Sequence, residues 1–189
     1  MEAGTGSESS NKRLNNMVAI TVVILSVFLA LQNVKSGNVA QAIEQTKADT
    51  LDKWNQYQAA RLKHDLAEVA LSTNKVMTGA AGVDVAIAAA ERDKIDKAIV
   101  AYIDREKRYS AEAKELEQSL KALNKRDDQF DVAEAVVSLA LAISAIAILA
   151  ESWMLLGLAW AFGAFGVTMG GSAMAGYDLY PAWLVDLIT

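Results

Sequence analysis

Apolar residues fall along this chain in two patterns: long runs without charge, and charged stretches striped with apolar positions. The first run, Leu14 to Val34, holds 21 residues without charge, and about 20 such residues suffice to cross a bilayer's hydrocarbon core. It predicts a first membrane span over 14–34, preceded by a polar tail over 1–13 that ends in Lys12-Arg13. Between Ala135 and Tyr177 only Glu151 is charged, leaving uncharged runs of 16 and 26 residues on either side. No single helix of that length fits one bilayer, so the pattern predicts a membrane hairpin: a span over 130–150, a tight turn at Glu151-Ser152, and a return span over 152–176. A tail over 177–189 follows, and Trp153, Tyr177, Tyr180 and Trp183 are expected at interfaces, where amphipathic rings settle.

The segment 35–129 between these runs is an extramembrane arm. Its second half repeats apolar residues in alternating steps of three and four, the a/d spacing of a coiled coil. The stripe runs through Val85, Ala88, Arg92, Ile95, Ile99, Tyr102, Glu106, Tyr109, Ala113, Leu116, Leu120 and Leu123. A helix over 84–128 would extend about 70 Å. In the first half, Ile43, Leu51, Trp54, Leu62, Leu66 and Val69 share one broad helical face. The break near 72–83, with Asn74, Gly79 and Gly82, reads as the tip of an antiparallel hairpin whose two helices bury their stripes against each other. The expected seam is Trp54, Tyr57, Ile95, Ile99, Tyr102, Tyr109, Leu116, Leu120 and Leu123. Gly37 is the one helix-unfriendly residue near the junction of the first span with the arm, so the arm helices are expected to run into the spans unbroken. The fold class is therefore all-α, with three transmembrane helices and a long, coiled-coil-like helical hairpin.

Composition agrees with segregated blocks. A chain that is 53% hydrophobic and 22% charged, with mean hydropathy +0.19, is not patterned as one soluble domain. Net charge is -5, but residues 35–129 balance 16 basic against 16 acidic residues, and the excess lies in Asp131, Glu134, Glu151, Asp178 and Asp186. No basic patch is available to release counterions from nucleic acid, so a nucleic-acid role is excluded. With no Cys there is no disulfide framework, thiolate nucleophile or Cys-ligated metal.

Ala40-Gln41-Ala42 has the small-x-small form of a signal-peptidase site. It lies well past the apolar run, so the first span is expected to remain as an uncleaved anchor. Within the third span, Ala159-xxx-Gly163 and Gly166-xxx-Gly170 are helix-packing spacings, with Ala140-xxx-Ser144 as a matching surface on the second.

The segment from Gln45 to His64 resembles the signature of a bacterial membrane family named for domain of unknown function 4337. That pattern sets an Asp and a Trp before Tyr-Gln-Ala and a basic residue. Asp52, Trp54, Tyr57, Gln58, Ala59, Arg61 and Lys63 match it here. The segment 128–136, beginning Asp128-Gln129-Phe130-Asp131, and the aromatic start of the third span at Trp153 look similar too. The resemblance implies a bacterial inner-membrane protein with three spans and a helical extramembrane domain, and implies no activity. The family's turn between the second and third spans is usually basic, whereas here it is Glu151-Ser152. Orientation then rests on Lys12-Arg13, which favours a cytoplasmic N-terminus and a periplasmic arm, while Lys121, Lys125 and Arg126 pull the other way.

Candidate chemistry is sparse. His64 and Glu68 are an i, i+4 pair that can serve a metal only with ligands from elsewhere, and the simpler reading is a solvated helix pair. Asp131 and Glu134 can face a cation or proton path at the mouth of an oligomer, or lie at headgroup level facing water. No catalytic, metal or cofactor site is expected. The functional expectation is a non-enzymatic structural or interaction protein that self-associates through its helical arm and its membrane hairpin, with membrane lipid and a second copy of itself as partners. The alternatives are an oligomeric ion or small-solute pathway, and an accessory subunit bound to another membrane protein.

Overall fold

A computed structural model describes residues 3–79, 82, 84–177 and 179, with side chains from Asn11 onward. Tyr180 and Trp183 lie outside the described residues. The described chain is all-α, formed by α1 (Ala3–Thr78), α2 (Val85–Leu149) and α3 (Trp153–Ala175). The single proline lies beyond α3 at Pro181, so no residue before it removes a backbone donor or blocks a helical turn. The expected tail over 1–13 is helical from Ala3, and the break expected over 72–83 shrinks because α1 continues to Thr78. Gly37 sits inside α1 without ending it. One glycine costs a helix only about 1 kcal/mol.

The chain divides into two units: residues 1–43 with 122–189, and residues 44–121. In the first, all three helices meet. Leu14 and Val18 of α1 pack with Ala147 of α2 and Leu156 of α3. Leu25 packs with Val137 and Ala140, and Met169 with Val132 and Ala133. The turn from α2 to α3 sits where the sequence places it: Glu151 has φ 48°, and Ser152 N–H donates to Ala147 O at 3.0 Å. Gly176, at φ 82°, closes α3 in the left-handed conformation that only glycine adopts without steric cost.

The surface of this unit is inverted relative to a water-soluble bundle. Ile20, Val23, Ile24, Val27 and Leu31 of α1, Leu139 and Ile146 of α2, and Leu158 and Phe165 of α3 are exposed. Gln32, Gln129 and Ser144 are buried. An apolar exterior with the few polar side chains turned inward is the arrangement that hydrocarbon solvent selects. All three helices are long and apolar enough to cross a membrane.

In the second unit, α1 and α2 meet along a narrow stripe of small side chains: Ala60, Ala88 and Ala113 are buried, with Thr50 among the buried polar residues. The expected seam members Trp54, Tyr57, Ile95, Ile99, Tyr102, Tyr109, Leu116 and Leu120 are half-buried, as is Leu123, which falls in the first unit. The broad apolar face read for the first arm helix is packed only in part: Ile43 is buried and Trp54 half-buried. Leu51, Leu62, Leu66 and Val69 are 60–65% exposed. The residues of α1 withdrawn from solvent instead follow their own three-four spacing through Thr50, Lys53, Tyr57, Ala60, His64, Ala67, Leu71, Asn74 and Thr78. Small residues on this side let the two backbones approach closely, and large aliphatic chains are left over on another.

Candidate functional site

Two constructions dominate: an interlocked three-helix root in the first unit and the α1–α2 seam in the second. In the root, the small stripe of α3 is buried at Ala159, Gly163, Gly166 and Gly170. Each glycine accepts a neighbour that a side chain would displace. A Cβ on Gly163 would meet Leu25 at 3.2 Å and Ala140 at 3.7 Å. On Gly166 it would meet Val137 at 2.6 Å and Ala133 O at 3.2 Å. On Gly170 it would run into Gln32 and Phe28. Ala140 and Ser144, the matching surface on α2, are fully buried. The small face of α3 is therefore filled by α1 and α2 of the same chain.

A polar clamp that the sequence reading missed closes the same bundle. Gln32 of α1 donates from Nε2 to Phe130 O at 2.9 Å. Gln129 of α2 donates to Met169 O at 3.1 Å and to Ser172 Oγ at 2.5 Å. Arg126 reaches the end of α3, its Nε donating to Ala173 O at 2.8 Å and its Nη2 to Met174 O at 3.2 Å. Ala173 O also accepts the Gly176 N–H at 3.2 Å, and the helix dipole at a C-terminus favours a cation there. Gln32 Oε1 is buried without a hydrogen-bond donor and faces Gly170. The available signal was two amides at the margins of uncharged runs, each needing an interhelical partner in hydrocarbon.

On its outer side the root carries an open cleft of about 290 Å³ lined by Thr21, Ile24, Leu25, Trp160, Gly163 and Val167. Trp160 Nε1 donates to Thr21 Oγ1 there at 2.8 Å. The lining is almost wholly apolar. Nearby in sequence to the clamp, Asp131 is exposed and Glu134 half-buried on the first turns of the expected second span.

The seam of the second unit is bordered by polar pairs. Lys53 Nζ lies 2.7 Å from Glu112 Oε2, and Trp54 Nε1 donates to Glu117 Oε1 at 3.0 Å. Trp54 and Tyr57 stack edge to face, their ring centroids 5.5 Å apart. Lys53 and Arg108 both stand over the Tyr109 ring, at 5.7 and 5.0 Å. Asn74 donates to Ala88 O at 3.3 Å. The hydrogen bond from Lys53 holds the Glu112 carboxyl below the usual carboxylate range and raises Lys53 above its own.

His64, the only histidine, stands between Glu106 and Glu68. Its Nδ1 lies 2.9 Å from Glu106 Oε1 and its Nε2 3.4 Å from Glu68 Oε1. Neither approach has hydrogen-bond geometry, leaving His64 Nε2 and Glu106 Oε1 buried and unsatisfied. Among the described residues no group of three or more His, Cys, Asp or Glu side chains is arranged to hold a metal.

A family model described as a domain of unknown function (DUF4337) matches residues 14–176, which takes in most of α1 and the whole of α2 and α3. No curated protein and no solved structure matches the chain.

Proposed function

The chain belongs to the domain of unknown function 4337 family, whose name carries no activity, and on that premise we propose its function from its surfaces. It is a non-enzymatic membrane-rooted interaction protein, held in the bacterial inner membrane by three spans, that associates with copies of itself through its helical arm. The arm is an antiparallel, coiled-coil-like hairpin. Cross-helix partners support this, because positions rise on α1 from Lys53 through His64 to Asn74 as they fall on α2 from Glu112 through Glu106 to Ala88. Lys12-Arg13 supports a cytoplasmic N-terminus and a periplasmic arm.

One observation carries the reading. After α1 and α2 have packed, the arm still exposes Leu51, Leu62, Leu66, Val69 and Val76, more aliphatic surface than a solvated rod has use for. The small face of α3 is occupied within the chain, so self-association falls to the arm rather than to the root.

Native mass spectrometry of the full chain released in mild detergent tests this. A stable homo-oligomer is expected. A strict monomer, with nothing copurifying at native expression, overturns it. An oligomer whose ion or solute flux changes on Asp131→Asn and Glu134→Gln would replace the scaffold with a pathway.

A further inference from the structure

Resting on the self-association just proposed, we infer that the docking surface is the α1 stripe Leu62, Leu66, Val69, Thr73 and Val76, and that its occupant is the same stripe of a second copy, parallel and in register. The stripe's steps are four, three, four and three, the d-a-d-a-d positions of a heptad, so the shape it fits is a helix. Those residues are exposed, while His64, Ala67, Leu71 and Asn74 on the side toward α2 are not. One helix thus carries two stripes of identical period, one used within the chain and one open.

Three observations select a second copy over another occupant. The first is register. Copies of one sequence carry Leu66 at the same chain distance from their own first spans. Copies in one membrane therefore present like residue to like residue without any shift.

The second is charge. In a parallel pair the flanking g and e' positions are Gln58 with Lys63, Asp65 with Ala70, and Ser72 with Met77. No like charges oppose one another.

The third is area. Leu62, Leu66, Val69 and Val76 are 60–78% exposed, and so few side chains fall short of the roughly 800 Å² per partner of a standard interface. So small a surface holds a partner only at high effective concentration. A chain confined to the same membrane in the same orientation meets that condition, whereas a soluble protein does not.

The chain has no cysteine, which permits a direct test. Single-cysteine variants Leu66→Cys, Val69→Cys and Arg61→Cys of the full chain are oxidised with copper-phenanthroline in native membranes, alongside native mass spectrometry of each. Leu66 and Val69 occupy the proposed a and d layers, where Cβ atoms meet at disulfide distance, and Arg61 occupies an outer c position. Homodimer yield at 66 and 69 about tenfold above that at 61 is expected. Leu66→Asp should abolish the dimer and leave the thermal midpoint of the single chain unchanged, since Leu66 is already exposed within it.

An oligomer that crosslinks no better at 66 than at 61 overturns this face while leaving self-association standing. No homodimer from any of the three cysteine variants in native membranes, together with a monomer by mass, overturns both. A foreign protein linked at residue 66 in place of a homodimer overturns the choice of occupant.

Discussion

A glycine at the α3 interface and a glycine inside α1 make opposite demands. At Gly166 a Cβ would lie 2.6 Å from Val137 and 3.2 Å from Ala133 O, and the carbonyl cannot rotate away. Gly166→Leu should therefore lower the thermal midpoint in detergent, by an amount equivalent to about 1–3 kcal/mol for an overpacked contact. At Gly37 a Cβ meets nothing within 4 Å, so Gly37→Ala should raise helix stability by about 0.5–1 kcal/mol. Calorimetry of the two variants checks both signs.

Lys53 and Glu112 have a sign of their own. A carboxyl held below its unfolded pKa stabilises the fold above that pKa and loses the contribution as pH falls through the folded value; an amine raised above its unfolded pKa stabilises below it and loses the contribution as pH climbs through the folded value. The pair should thus steady the arm across the neutral range and fail at both extremes. A thermal midpoint measured against pH in Glu112→Gln should lose its excess acid-side slope relative to wild type. The effect is small because both side chains remain about a third exposed.

Leu116 lies half-buried on the α2 stripe. Leu116→Asp should lower the arm's thermal midpoint by about 1–3 kcal/mol equivalent, since it sets a carboxylate against apolar neighbours. An unchanged midpoint by circular dichroism would remove Leu116 from the packing. On α2 the apolar stripe residues Ile95, Ile99, Leu116 and Leu120 are half-buried, so hydropathy and burial run together there. On α1 they disagree. The packing side holds Thr50, Ala60, His64 and Asn74, which carry no hydropathy signal, while Leu62, Leu66 and Val69 carry a strong one on another side. Both stripes have the same period, and a reading by hydropathy follows the more apolar of the two. The tight turn was legible from a lone charge at Glu151. The clamp of Gln32, Arg126 and Gln129 was not, because uncharged amides do not interrupt a run defined by absence of charge.

Across the whole molecule, orientation in the membrane is open to a single labelling experiment. Gly79 is the better turn glycine for it: a Cβ there makes only an ordinary 3.5 Å contact with Val76 O, whereas Gly82 has φ +91° and resists any side chain. Gly79→Cys in intact cells should react with a membrane-impermeant maleimide reaching the periplasm. Reaction only in inverted vesicles would place the arm on the cytoplasmic side.

The clamp also sets an order of events during synthesis. The carbonyl that receives Gln32 belongs to Phe130, 98 residues later in the chain, and its other neighbour, Gly170, follows later still. At about 5–20 residues per second, the first span waits roughly 5–20 s for its partner. Through that interval the amide keeps water or headgroups for company, and it must surrender them when the root closes. Gln32→Leu should shorten the time the nascent first span takes to become resistant to alkaline extraction, while the finished protein loses a buried hydrogen bond. A pulse-chase extraction series would show the two effects moving in opposite directions: the residue that locks the completed bundle is the one that delays its first helix.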